Sequence, residues 1–203
     1  MKAKTVAIIG AGPVGLAAGA HALERGLSVV ILERGLEVGH SILQWKHVKM
    51  FSPWEFNVDH ACARLLHRIG WKMPNPEVLP TGRELVEQYL APLGTKTPLK
   101  DHIKLSSMVT AISRVGFDKL KTAGREQAPF EIRYVRSGEE HALFADAVID
   151  ASGTWFSPNP AGANGLPAIG EAAARGHVSY TMPDVHGEQR DRFANRRVAV
   201  LGG

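Results

Sequence analysis

The sequence predicts an α/β fold: a central parallel sheet, an added antiparallel β-meander, and a final strand that would begin a second unit of the same kind. Three observations lead there. A β-branched apolar run at residues 5–9 is followed by Gly10-Ala11-Gly12-Pro13-Val14-Gly15, an alanine-rich segment, and a second apolar run at 27–32. From about residue 103 the apolar period shifts to two, the pattern of half-buried strands. The last described pattern, Arg197-Val198-Ala199-Val200-Leu201-Gly202-Gly203, echoes Val6-Ala7-Ile8-Ile9-Gly10.

Each element has its own signal. Residues 5–9 (TVAII) read as a strand buried on both faces of a parallel sheet. Residues 16–25 read as a helix stopped at Gly26, and 27–32 as the next strand, ending on Glu33. So short a crossover makes the two strands parallel neighbours. Residues 35–57 are irregular and carry Trp45, Phe51 and Trp54. A helix is expected over 59–69, with Asp59 near its start and Gly70 after its end. Three prolines make 71–80 a loop. Thr81-Gly82-Arg83-Glu84 is a capping-box signature for a helix running to about Leu90. Residues 103–115, 130–136 and 141–149 read as strands, with the polar stretch 119–128 an exposed hairpin tip. Proline and glycine mark a connector from 157. The predicted organisation is a nucleotide-binding domain over 1–156, a connector over 157–196, and the first strand of a second dinucleotide-binding domain, cut short, at 197–203.

Composition narrows the function classes. The 203 residues are 44% hydrophobic and 22% charged, ordinary for a globular protein. The net charge of +4 is spread among 20 acids, with no basic run carrying interleaved aromatics, so nucleic acid is not an expected partner. No stretch approaches the roughly 20 apolar residues that span a bilayer. The N-terminal apolar run mimics a secretory signal, but Gly10, Gly12, Pro13 and Gly15 break it, and the expected location is cytoplasmic. A single cysteine, Cys62, rules out a CxxC redox pair and an intramolecular disulfide.

The glycine turn carries the chemistry. Gly10 permits a sharp turn, Gly12 lets a pyrophosphate approach the backbone, and Gly15 lets the helix lie close to the strand. The helix N-terminus adds unpaired N–H groups and about half a positive charge. Glu33 lies eighteen positions after Gly15. An acid at the end of the second strand can accept both ribose hydroxyls of an adenosine and repels a 2′-phosphate, which disfavours NADP here. On this reading Glu33 is a strand-end ligand whose replacement by lysine spares the fold. The turn itself serves NAD or FAD equally.

Asp146-Ala147-Val148-Ile149-Asp150-Ala151-Ser152-Gly153-Thr154 is a strand running into a small-residue turn, followed by Trp155, Phe156 and Ser157-Pro158-Asn159-Pro160. Here the sequence resembles the two-dinucleotide-domain flavoproteins, in particular the flavin-containing and Baeyer–Villiger monooxygenases. In that group the strand ends in Ala-Thr-Gly, where this chain has Ala151-Ser152-Gly153. The resemblance extends to the capping-box helix and to the strand around Val109, where the group holds adenine. It implies a Rossmann-like FAD-binding domain with Gly10, Ala11, Gly12, Pro13, Val14, Gly15, Glu33, Arg34, Val109, Ala151, Ser152 and Gly153 at the cofactor. It also implies an oxidoreductase in which NADPH reduces FAD and oxygen is delivered to a small organic substrate. The NADPH motif would begin at Gly202-Gly203 and stop there. A flavin-dependent pyridine-nucleotide reductase without a redox disulfide, or an FAD-binding remnant without turnover, are the alternatives.

No catalytic side chain stands out. Among nine histidines, His60 and His67 lie seven apart with Cys62 between, but without metal-ligand spacing. Trp45, Phe51 and Trp54 could wall a flavin or fill the core. Gly176, His177 and Tyr180 match the group's monooxygenase fingerprint in order but not in spacing. Arg190, Arg192, Arg196 and Arg197 could face a nucleotide phosphate or simply be solvated.

Overall fold

The structure, a computed structural model, describes residues 4–201. By internal contacts the chain falls into two compact units, Met1–Gly153 and Thr154–Gly203. In the first, β1 (Thr5–Ile9) is buried at four of its five positions, and α1 (Pro13–Glu24) follows it with Pro13 in its first turn. β2 (Ser28–Leu32) returns parallel to β1 in register from Thr5–Ser28 to Ile9–Leu32. Two short helices, α2 (His40–Leu43) and α3 (Trp54–Asn57), interrupt the irregular segment. α4 (His60–His67) is capped by Asp59, whose carboxylate accepts from the N–H groups of Ala61 and Cys62 at 2.8 and 3.1 Å. Arg64 reaches Glu24 and His21 reaches Asp59, so polar pairs tie α4 to α1 along its edge.

The capping box forms as its sequence requires. Thr81 Oγ1 accepts from the Glu84 N–H, and Glu84 accepts from the Thr81 N–H. α5 (Gly82–Leu85) then runs beyond its expected end, through a π-helical turn at Val86–Leu90 into α6 (Ala91–Lys96). Pro92 explains the irregularity: it has no N–H to give the Gln88 carbonyl four residues earlier. The indole Nε1 of Trp71 donates to that carbonyl instead, at 2.7 Å.

Two stretches that read as single strands are each divided between two sheets. Residues 103–115 become β3 (Ile103–Lys104), which pairs parallel with β2, and β4 (Ser107–Arg114), which pairs antiparallel with β5 (Phe130–Arg136). The change of direction falls at Ser106, held at φ 53°. Residues 141–149 likewise become β6 (Glu139–Ala145) and β7 (Ala147–Asp150). Asp146 is the joint: its N–H donates to the Thr5 carbonyl at 2.9 Å, and its carboxylate accepts from the Thr5 N–H at 2.7 Å. The result is a parallel sheet in the order β3-β2-β1-β7 and a meander β4-β5-β6. Alternation signals a strand but says nothing of its partner, so one apolar run can serve two sheets.

The core lies on both faces of the parallel sheet. Val6, Ile8, Val29 and Ile31 face α1, α4, the π-helical turn and α6, where Leu16, Leu66, Leu90 and Leu93 are fully buried. Ala7, Ile9 and Leu32 face the meander through Ile132, Tyr134 and Ala145.

The second unit is held by loop bonds. The Glu171 carboxylate accepts from Ala161 N–H, Ala168 N–H and the Tyr180 hydroxyl, and Asp184 accepts from Gly187 N–H and Glu188 N–H. Its helical turns are Arg175–His177 and α7 (Arg190–Phe193). The strand expected at 197–201 does not form: those residues are outside any ladder, with Val198, Val200 and Leu201 exposed. A strand needs a neighbour for its backbone groups, and among the described residues of this unit there is no other strand. Gly202 and Gly203 lie outside the described residues.

The Trp71–Gln88 bond yields a double-mutant test. Trp71→Phe should cost about 1 kcal/mol in urea denaturation beyond its packing loss, by orphaning the Gln88 carbonyl. Pro92→Ala, which supplies an N–H at the right place, should cost less in the Trp71→Phe background than in the wild type.

Candidate functional site

The site is built at the carboxyl ends of β1, β2 and β7. The Gly10 N–H donates to the Leu32 carbonyl at 2.8 Å, and the Ala151 N–H donates to the Ile9 carbonyl at 2.9 Å. The end of β1 is thus fixed to both neighbours just where the chain turns. Gly10 has φ +97°, and a Cβ there would lie 2.7 Å from the Ala151 oxygen. A Cβ on Gly15 would lie 1.9 Å from the Gly10 oxygen, so only glycine lets α1 start this close to the strand.

Gly12 is different in kind. Its φ of −80° and ψ of −173° suit any residue, and a Cβ there would meet nothing within 4 Å. It opens the turn to the outside. As N-cap it provides no side-chain bond, and the Leu16 N–H closes the first turn on its carbonyl at 3.0 Å. The N–H groups of Val14 and Gly15, in the first turn, have no partner inside the helix. Val14 is 68% exposed. A cradle with an open approach, two unspent donors and the positive end of a twelve-residue helix fits a pyrophosphate.

Glu33 is placed beside this turn but is not a solvated acid. Only 6% exposed, it accepts from the Ala11 N–H through Oε2 and from the Gly35 N–H through Oε1, each at 2.7 Å. Its own backbone N–H donates to the Lys104 carbonyl, and its carbonyl accepts from the Ser107 N–H. The expectation that lysine could replace it without harm to the fold is therefore overturned, because two buried amides would lose their acceptor. Each carboxylate oxygen keeps a second lone pair for a ligand hydroxyl.

Two positions escaped sequence reasoning. Gly39, at φ +71°, donates from its N–H to the Ala11 carbonyl at 3.0 Å, while the space its Cβ would need is taken by Val86. Gly35 meets Glu33 as described. The signal was present in the Gly35 and Gly39 pair that follows Glu33, but it reads as an ordinary loop.

Of the other candidates, Arg34 is exposed next to Glu33, and Val109 lies half-buried against the meander core just before a β-bulge. Ala151 packs on the core, and Ser152 and Gly153 follow it, exposed, with Gly153 at φ +67°. The three aromatics are not brought to one wall: Trp54 is 2% exposed, Trp45 is half-buried against the core, and Phe51 is 98% exposed. His60 and His67 are exposed. Among the described residues no group of three or more potential metal ligands converges. In the second unit, His177 lies in a helical turn and Tyr180 is engaged by Glu171. Arg190, Arg192, Arg196 and Arg197 are exposed there. Cys62 is fully buried, and burial pushes its thiol up to about 12.

Residues 7–203 match the family model described as pyridine nucleotide-disulphide oxidoreductase. No curated protein matches the chain. Among solved structures it is similar to S-allyl-L-cysteine S-oxygenase from Allium sativum, with TM-score 0.56 and 16% identity over 75% of this chain and 37% of that one. It is similar to the closed form of cyclohexanone monooxygenase, with TM-score 0.54 and 20% identity over 75% of this chain and 26% of that one. The bacillithiol disulfide reductase Bdr from Bacillus cereus gives TM-score 0.52 and 20% identity over 80% and 43%. The chain thus spans between about a quarter and somewhat under half of the length of these proteins, and the likeness is one of fold. No described helix is long and apolar enough to cross a membrane.

Glu33→Gln keeps one acceptor and turns an amide NH2 toward the other N–H; it should lower stability by about 1–3 kcal/mol in urea denaturation. Cys62 should be silent to a thiol reagent at neutral pH in the folded protein and react fully once the chain is unfolded, where its pKa returns to an ordinary value.

Proposed function

We propose that this chain, which belongs to the pyridine nucleotide-disulphide oxidoreductase family, binds FAD as a flavoprotein oxidoreductase. NAD(P)H would be the reductant, and monooxygenation of a small organic substrate the reaction. The observation that carries the reading is the open glycine turn, bounded on one side by a buried strand-end carboxylate. Structural neighbours that include two oxygenating enzymes support the choice of reaction.

On this reading the redox chemistry belongs to the flavin, and the chain's work is binding and orientation. The N–H groups of Val14 and Gly15 would donate to the pyrophosphate, which the open face at Gly12 would let come close. Glu33 spends one lone pair of each oxygen on the backbone and offers the others to the adenosine ribose. Its negative charge disfavours a 2′-phosphate at that place. Arg34 and Val109 would serve the adenine end, and Ala151, Ser152 and Gly153 the pyrophosphate side of the turn.

A flavin-dependent reductase is the second reading, favoured by the similarity to Bdr. Cys62 speaks against disulfide exchange by this chain's own thiol, because a buried thiol raised to about 12 is neither a nucleophile nor accessible at neutral pH.

The purified protein should carry, or take up on addition, an oxidised flavin visible in its absorption spectrum; a colourless protein that binds no added FAD overturns the reading. Anaerobic bleaching by NADPH would support a pyridine-nucleotide oxidoreductase. Gly12→Val should weaken FAD binding at least about tenfold, roughly 1.4 kcal/mol, while the protein still unfolds cooperatively with only a small loss of stability from the poorer N-cap. The added Cβ would meet no protein atom within 4 Å, and the side chain would stand in the ligand's path.

A further inference from the structure

β7 ends the parallel sheet, so one of its edges is filled by β1 and the other has no ladder partner among the described residues. The open side also lacks side-chain cover: Ala147 and Asp150 are exposed, and Ile149 is 39% exposed. A free edge presents unpaired N–H and C=O groups to any strand that fits it. What fits is defined by the edge already filled. β7 takes β1 in parallel register, Val6 to Ala147, Ala7 to Val148, Ile8 to Ile149 and Ile9 to Asp150. Val6 and Ile8 lie on the helical side of the sheet, and Ala7 and Ile9 join Val148 on the meander side.

Val198-Ala199-Val200-Leu201 repeats the order of side chains in Val6-Ala7-Ile8-Ile9: β-branched, small, β-branched, large aliphatic. This second run is in no ladder, with Val198 55%, Val200 86% and Leu201 80% exposed. The chain therefore carries a strand edge without a strand and a strand without an edge. Set on the open edge in the register that β1 uses, Val200 lies beside Ile149, Ala199 beside Val148, and Arg197 opposite Asp146. Asp146 is exposed and spends Oδ2 on the Thr5 N–H, which leaves Oδ1 for a cation. A cationic start to the strand thus meets an anionic start to the edge, which selects the parallel direction.

We propose that two copies of this chain associate by reciprocal strand addition, residues 197–201 of each pairing parallel with the open edge of β7 in the other. Main-chain hydrogen bonds supply the affinity and the alternating side chains fix the register. Each four-stranded parallel sheet gains a fifth strand, and Ile149 loses its exposure to Val200. Because the exchange is mutual, it closes as a two-fold dimer and leaves no further edge of this kind. The inference is independent of the cofactor.

The test uses the full chain in analytical ultracentrifugation over about 1–200 μM. The wild type should pass from monomer to dimer across that range. Val200→Asp, at an exposed position, should unfold with an unchanged midpoint yet dimerise at least about a hundredfold more weakly, because the pairing would bury an unpartnered carboxylate beside Ile149. A second measurement locates the contact. Ile149→Cys chains are mixed with Val200→Cys chains under mild oxidation, with Cys62 fully buried and out of reach. Neighbouring strands bring paired Cα atoms within disulfide range, so the mixture should yield a covalent dimer that neither variant yields alone. A wild type that stays monomeric, or that grows past a dimer, overturns the proposal. So does a Val200→Asp chain that dimerises as tightly as the wild type, or a mixture that forms no more covalent dimer than its parts.

Discussion

Two hydrogen bonds to one buried carboxylate organise this site. Glu33 receives the Ala11 N–H from the glycine turn and the Gly35 N–H from its own downstream loop, both at 2.7 Å. Its backbone joins the same residue to Lys104 and Ser107, where the parallel sheet gives way to the meander. Ala11, in turn, gives its carbonyl to Gly39, which rests on Val86 of the π-helical turn. The glycine turn, the loop after β2, the bend between β3 and β4 and the π-helical turn are therefore linked within a few residues of one side chain. Burying an acid is costly unless its oxygens are bonded, and here the partners are backbone amides that also need acceptors. The arrangement satisfies both and shapes the turn before any ligand arrives.

Around that point the chain uses exchange between sheets rather than long strands. β3 and β4 are one apolar run bent at Ser106, and β6 and β7 are another divided at Asp146. Each run gives a few residues to the parallel sheet and the rest to the meander. Consequently the meander is anchored at both ends to the sheet it covers, and Ile132 is fully buried between them. The same economy appears in the helical layer, where Pro92 frees a carbonyl and Trp71, from the proline-rich loop, satisfies it. An irregularity in one element becomes a tie to another.

Asymmetry in the site follows from this framework. The β2 side presents an acid locked by backbone amides, whereas the acid that ends β7, Asp150, is exposed and held in a local turn by Ser152. Between them Gly12 is open, while Gly10 and Gly15 have no room for a side chain. Three glycines in one motif thus have two unlike duties: two permit the backbone to pack against itself, and one leaves space for something else.

What the sequence determined was mostly local. The strand, glycine turn, helix and strand of the first 32 residues, the Asp59 cap and the Thr81–Glu84 box depend on groups at most a few residues apart, and each formed as read. The fold class followed, because a short crossover leaves little choice of pairing. Tertiary structure decided what depends on distant partners. It assigned the halves of residues 103–115 and 141–149 to different sheets, buried Glu33 against Ala11 and Gly35, sent Trp54 to the core and Phe51 to solvent, and left 197–201 without a ladder. A helix carries its hydrogen bonds within itself and can be read from its own residues; a strand or a buried carboxylate is completed only by what the rest of the chain brings to it.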